Sequence, residues 1–378
     1  MRRLLTAVGL SVLICEGAQA QAAWKPEIGI QGGYARIKPA GTGRNDAIDD
    51  FGIPGAGYVL GLLTYGNLYA IIPWSNKLAV EPSIAASQLG TNSTGGFATT
   101  VRVGVRANYA FTPKVYGAAG LEMLNLAAGT QRLSSFGVQA ALGYRFRLTN
   151  TINGRLEAHV AAIQKDKNLT PTDVYALLFG ISSRVGGPAP APARGARTTR
   201  AWQPALGVQG GYFSAHTVGS GAGTDIAGIS FPGIGGSISV LSSHVALPPT
   251  LFVILPMGTK TAIEPGVDIH RVQTPGGPST GFSGNFSARL DYAVAGGWYA
   301  AGGGSLNYLK YSGIDAASVL GANVAWGYRF HFSGGWGGRI EANYSMFGKH
   351  DNNGSATKLK VAPQNTFGIQ FGASMPLK

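Results

Sequence analysis

Hydrophobic and polar positions alternate with period two along most of the chain. From Phe97 to Phe111 the odd positions are Phe97, Thr99, Val101, Val103, Val105, Ala107, Tyr109 and Phe111. The even positions between them include Arg102, Gly104, Arg106 and Asn108. One face is apolar with aromatic residues near both ends, and the other carries charge. Such an alternation outlasts the soluble strand of about 5–6 residues and fits a tilted strand crossing a bilayer. Further on, Phe282, Phe286, Leu290 and Tyr292 face one way while Ser283, Asn285, Ser287, Arg289 and Asp291 face the other. Leu320, Ala322, Val324, Trp326, Tyr328, Phe330 and Phe332 form an outer stripe opposite Asn323, Arg329 and His331. Trp336, Ile340, Ala342 and Tyr344 oppose Arg339, Glu341 and Asn343. Aromatics at strand ends suit the two interfaces of a membrane.

The pattern occurs twice. Gln31-Gly32-Gly33-Tyr34 returns as Gln209-Gly210-Gly211-Tyr212, preceded by Ala23-Trp24-Lys25-Pro26 and Ala201-Trp202-Gln203-Pro204. Gly143-Tyr144-Arg145-Phe146 returns as Gly327-Tyr328-Arg329-Phe330, and Gly154-Arg155-Leu156-Glu157-Ala158 as Gly338-Arg339-Ile340-Glu341-Ala342. Solenoid repeats run at about 20–50 residues, so the much longer spacing means that a whole domain is duplicated. About eight strands are expected in each copy. Short connections are expected at Ser75-Asn76, Thr112-Pro113 and Thr149-Asn150-Thr151, and long polar ones near 37–56, 88–96, 127–133 and 164–172. Short turns on one rim and long loops on the other is the arrangement of outer-membrane barrels.

The expected fold is therefore all-β: a transmembrane antiparallel up-and-down β-barrel, as two tandem eight-stranded barrels. One sixteen-stranded barrel is the alternative. Residues 1–20 read as a cleaved signal peptide, with cationic Arg2-Arg3, an apolar run and Ala18-Gln19-Ala20. The expected units are 21–185 for the first repeat, 186–200 for a Pro/Ala-rich linker, and 201–378 for the second. Alternating Pro and Ala in Pro188-Ala189-Pro190-Ala191-Pro192 makes that linker extended, at about 3.1 Å per residue.

Composition narrows the function classes. Charged residues are sparse at 12%, glycine reaches 58 residues, and no apolar run after the signal is long enough for a spanning helix. The net charge of +13 is scattered rather than clustered, so no nucleic-acid partner is expected. The single cysteine, Cys15, lies in the signal, which excludes disulfides and cysteine-based metal sites from the mature chain.

The candidate site is the set of charges that period two turns inward. In the first copy these are Glu81, Arg102, Arg106, Glu122, Arg145, Arg155 and Glu157; in the second, Glu264, Asp268, Arg289, Asp291, Arg329, Arg339 and Glu341. Four slots match between copies: Glu81/Glu264, Arg145/Arg329, Arg155/Arg339 and Glu157/Glu341. Buried charges must be paired, and opposite signs in a narrow lumen can pair. An eight-stranded barrel has an interior about wide enough for side chains, which favours a filled lumen over a charged constriction selecting ions. Catalysis at a rim would draw on Ser214, His216 and His350-Asp351, but no spacing fixes a nucleophile beside a base. No catalytic residue, cofactor or metal is expected; His159 and His331 read as single inward side chains. The glycines, including Gly302-Gly303-Gly304, read as barrel bends and small inward positions rather than a phosphate loop.

Over its mature length the chain resembles two members of the eight-stranded outer-membrane barrel superfamily, the OmpA-like and OmpX-like membrane domains. The resemblance lies in pattern, without a diagnostic motif. Family members usually end on an aromatic residue, whereas this chain ends Met375-Pro376-Leu377-Lys378. The resemblance implies outer-membrane lipid and the barrel-assembly machinery as partners, in a Gram-negative envelope. The expected function is non-enzymatic, structural or surface-interacting, with an unknown extracellular ligand and with 37–56 and 213–235 as the interaction surface. The alternatives are a sixteen-stranded porin-like channel for small solutes and a rim hydrolase.

Overall fold

Period-two segments leave every second side chain on one face, and such strands cross a membrane only if their edges are paired. In a computed structural model of the chain these segments are antiparallel strands. The structure describes residues 24–39, 48–53, 67–91, 97–128, 131–148, 152–164, 171–185, 201–218, 226–231, 238–240, 243–245, 251–273, 280–311, 315–331, 336–350 and 363–377. The signal segment and the Pro/Ala-rich linker lie outside the described residues.

The first copy holds β1 (Glu27–Pro39), β2 (Ile48–Ile53), β3 (Asn67–Pro73), β4 (Leu78–Thr91), β5 (Phe97–Ala110), β6 (Val115–Ala128), β7 (Gln131–Arg147), β8 (Ile152–Ile163) and β9 (Thr172–Arg184). The second holds β10 (Ala205–Thr217), β11 (Ile226–Phe231), β12 (Ile238–Val240), β13 (Ser243–Val245), β14 (Leu251–Pro256), β15 (Thr261–Gln273), β16 (Thr280–Ala295), β17 (Trp298–Tyr311), β18 (Ala317–His331), β19 (Gly337–Phe347) and β20 (Gln364–Pro376). β12 and β13 pair only with each other.

Each copy closes on itself. β1 pairs with β9 along its whole length, from Glu27 opposite Arg184 to Pro39 opposite Thr172, and with β3 on its other edge. β10 pairs in the same way with β20 and β14. Consecutive strands complete the rings β3 to β9 and β14 to β20. The result is two eight-stranded barrels. A single sixteen-stranded barrel would instead need the last strand of one copy to meet the first of the other.

Towards the long-connection rim the two barrels share strands. β2 pairs with β1 on one edge and with Ile269–Gln273 of β15 on the other. Reciprocally, β11 pairs with β10 and with Ala86–Thr91 of β4. Because the repeats present equivalent edges, either copy can satisfy the other's backbone donors and acceptors. The exchange pairs the edges of β1, β4, β10 and β15 that β3 and β14 leave uncovered. Outward-facing side chains pack between the barrels as well: Ile30, Ile152 and Ile181 with Val208, Trp336 and Met375. Trp336, read from period two as lipid-facing, is buried here and donates from Nε1 to the Arg184 carbonyl at 3.0 Å. An outward position at a barrel–barrel seam meets protein rather than lipid.

Elsewhere the outward stripes are exposed, with Leu121 60%, Leu177 58% and Leu320 73% accessible, as a lipid-facing surface requires. Tyr109, Tyr144, Trp298 and Tyr328 lie near the short-turn rim, and Phe136, Tyr175, Tyr344 and Phe367 nearer the other. Gly296 and Gly297, at φ of 56° and 91°, make the two-residue turn joining β16 to β17, which side-chain-bearing residues adopt only at a cost. Several expected loops are strand. Only 129–130 separate β6 from β7, β4 runs to Thr91, and the 37–56 and 213–235 segments contain β2 and β11. Polar residues there were a poor guide because these strands extend past the apolar band into water.

Candidate functional site: the two lumens

Alternate residues of the strands project into each barrel, and at mid-height both lumens hold the same ion-pair layer. In the first, Arg106 donates to both oxygens of Glu157 at 2.7 and 2.5 Å and lies 2.9 Å from Glu81. Arg155 donates to the two oxygens of Glu81 at 2.8 and 3.1 Å, and also to Gln31. The Tyr116 hydroxyl donates to Glu157 at 2.7 Å and the Asn108 amide to Glu81 at 2.8 Å. Arg155 stacks 3.5 Å over the Tyr69 ring.

The second lumen repeats this arrangement. Arg289 donates to both oxygens of Glu341 at 2.8 and 2.6 Å and lies 3.0 Å from Glu264. Arg339 pairs with Glu264 and Gln209, and lies 3.6 Å over the Phe252 ring. Tyr299 donates to Glu341 at 2.6 Å. Gly143 and Gly327 make room for the two tyrosines, since a Cβ at either would run into the neighbouring ring. All of these charges are nine-tenths or more buried. Burying so many charges is tolerable because each has at least one opposite partner at hydrogen-bond distance.

The match includes a fifth slot that the motif comparison did not pick out. Arg106 faces Glu81 across β4 and β5, and Arg289 faces Glu264 across β15 and β16. The offset that Glu81/Glu264 and Arg106/Arg289 share was the signal that could have found it. Reading the sequence for charge alone also missed the neutral partners Gln31/Gln209 and Tyr116/Tyr299, and the rings Tyr69 and Phe252.

At the short-turn rim, Arg145 pairs with Glu27 at 2.5 Å and stacks 4.6 Å over Trp24, while Arg329 lies 3.5 Å over Trp202 and donates to the Ala201 carbonyl at 2.8 Å. Both tryptophans donate from Nε1, Trp24 to Lys77 and Trp202 to Lys260. The repeated Ala-Trp-x-Pro motif is therefore an inner plug. Above the shared layer the copies differ. The first has an Arg102–Glu122 pair, with a bond of 3.1 Å from Nε, and an apolar cluster including Leu124, Ala161, Val174 and Leu178. The second has Asp268, and on its lower side Asp291, which lies 3.1 Å from Arg289.

Three expected placements change. His331 is exposed at the end of β18 rather than inward. Ser214 and His216 lie within β10, two residues apart on its outward face, not in a loop. Asp351 lies outside the described residues, and among those described no cluster of His, Asp and Glu could hold a metal ion.

Residues 7–184 match the model of the family described as outer membrane protein beta-barrel domain. No curated protein matches the chain. Among solved structures it is similar to Ail, the attachment invasion locus protein of Yersinia pestis, in complex with the heparin analogue sucrose octasulfate. That match has 17% identity and a TM-score of 0.27, over 43% of this chain and 100% of that one. It is also similar to a bacterial polysaccharide outer membrane secretin, at 9% identity and TM-score 0.33, over 94% of this chain and 99% of that one. OmpT, an outer membrane protein of Vibrio cholerae, matches at 12% identity and TM-score 0.28, over 80% of this chain and 99% of that one. The first copy matches the outer membrane protein beta-barrel domain, and the second copy repeats its strands and its ion-pair layer.

Proposed function

We propose that the protein is a non-enzymatic structural or surface-interaction protein of the outer membrane, with lumens sealed against solutes. The observation that carries this is the doubled ion-pair layer. Arg106 bridges Glu81 and Glu157 within 2.9 Å, Arg289 bridges Glu264 and Glu341 within 3.0 Å, and these pairs join side chains across each lumen. An eight-stranded ring has little room beyond its own side chains. A porin-like reading would need these charges to line a channel rather than bond across it.

The outward apolar stripes meet outer-membrane lipid, and the barrel-assembly machinery inserts the strands. The interaction surface is the long-connection rim. β2 and β11 are excluded from it as removable loops, since their deletion would break the shared ladders. The test is liposome swelling with the full chain in monosaccharide solution. Swelling no faster than in protein-free liposomes is the expected result, and rapid swelling would make the protein a diffusion pore.

A further inference from the structure

Aligning the two barrels on their ion-pair layers shows where they part. Leu124 faces Arg102, four residues before Arg106, and Asn307 faces Asn285, four residues before Arg289. By the same register Ala161 corresponds to Ser345, Val174 to Thr366 and Leu178 to Gln370. Four members of the apolar plug in the first lumen are therefore polar in the second. All eight side chains are more than nine-tenths buried, so the exchange is one of interior chemistry and not of exposure.

Above its ion-pair layer the second lumen holds a cavity of about 30 Å³, room for about one or two waters and partly open to solvent. Glu264, Arg289 and Glu341 form its floor; Ser305, Asn323, Asn343 and Ser345 its walls; and Phe347 borders it at the far end. Both amide atoms of Asn343, at 5% exposure, and the Ser305 hydroxyl have no hydrogen-bond partner within the protein. Nearby, both amide atoms of Asn307 are in the same position. A buried amide without a partner costs several times what a bonded one does, and a polar cavity of this kind is where water enters.

The charge balance points to what else enters. The first lumen sets Glu27, Glu81, Glu122 and Glu157 against Arg102, Arg106, Arg145 and Arg155, four acids to four arginines. Among the described residues the second sets Glu264, Asp268, Asp291 and Glu341 against Arg289, Arg329 and Arg339, four acids to three. Among the described residues its interior has one acid more than it has arginines, where the first has equal numbers. We propose that the second lumen alone is a hydrated chamber that admits small monovalent cations, while the first is dry. The two copies then divide the work: one barrel is a sealed support, and the other holds water and cations above a closed floor. This goes beyond the sealed-barrel reading, because a chamber can fill without letting sugars through.

Silver ion, a small monovalent cation that binds thiolates with release of the thiol proton, is the probe. In the full chain with Cys15→Ser, single cysteines are placed at equivalent depths, Ser345→Cys against Ala161→Cys and Thr366→Cys against Val174→Cys. Each variant is first checked for the gel mobility shift on boiling that marks a folded barrel. If one pair fails to fold, the other decides. Silver modification, read by mass spectrometry, is expected at least ten times faster in the second barrel than in the first. Equal rates in the two lumens, or protection of all four thiols, would overturn the proposal. Adding Asp268→Asn to Ser345→Cys is expected to slow silver by about twofold or more, because it removes one acid from the interior of that barrel. An unchanged or faster rate would overturn the preference for cations.

Discussion

Replacing Glu157 with Gln removes the charge on which the first lumen converges. The carboxylate accepts two bonds from Arg106, at 2.7 and 2.5 Å, and one from the Tyr116 hydroxyl at 2.7 Å. The amide keeps one acceptor, so Tyr116 stays bonded while Arg106 loses its two-pronged partner and keeps only Glu81 at 2.9 Å. Breaking a buried pair from one side costs about 3–5 kcal/mol, and the retained Glu81 contact places this variant near the lower end. With a urea dependence of about 2–3 kcal/mol per molar, the unfolding midpoint falls by roughly 1 M. The assay is tryptophan fluorescence of the full chain in detergent micelles across a urea series. Removing both charges with Arg106→Met and Glu157→Leu leaves Glu81 and Arg155 as a neutral pair and should recover at least half the loss. A loss below about 0.5 kcal/mol in the single variant, against the 3–5 kcal/mol of a broken buried pair, would refute the reading that the layer holds the barrel. So would a double variant less stable than the single one.

Three further outcomes follow from the same geometry. Glu341→Gln, whose carboxylate accepts from Arg289 and Tyr299, should shift the midpoint as Glu157→Gln does; a shift less than half as large would show that the two layers are not equivalent. Trp336→Ala empties the seam between the barrels at a cost of about 3–5 kcal/mol, and differential scanning calorimetry should show one transition becoming two. Gly327→Ala drives a methyl group into the Tyr299 ring and should cost about 1–3 kcal/mol by the same urea assay, whereas a neutral result would mean that the tyrosine relocates freely.

Much of this architecture was legible in the order of residues. Period two placed Arg106, Glu157, Arg289 and Glu341 inside because one face of a spanning strand must be apolar, and the copied motifs fixed two units. The repeat likewise marked Trp24 and Trp202, though as a motif without a role; only their distances to Arg145 and Arg329 reveal a plug. Partner identity was not legible, because it depends on which strands meet across a ring. The exchange of β2 and β11 was hidden for the same reason: equivalent edges in two copies make either pairing consistent with the local pattern. Trp336 misled because period two distinguishes inside from outside but not lipid from a neighbouring barrel. The contrast between Leu124 and Asn307, or Val174 and Thr366, was present in the letters, yet it acquired meaning only once the register put those residues at one depth.

The most direct test of the account is a disulfide across the closure of each ring. Tyr34 faces Leu177 where β1 meets β9, and Tyr212 faces Ile369 where β10 meets β20. In the chain carrying Cys15→Ser, the pairs Tyr34→Cys/Leu177→Cys and Tyr212→Cys/Ile369→Cys should each cross-link under mild oxidation, as Cα partners in a ladder can. The crossed pair Tyr34→Cys/Ile369→Cys should not. Two closed eight-stranded barrels predict that result. Cross-linking of the crossed pair, with none in the first two, would mean that the strands close as one sixteen-stranded ring.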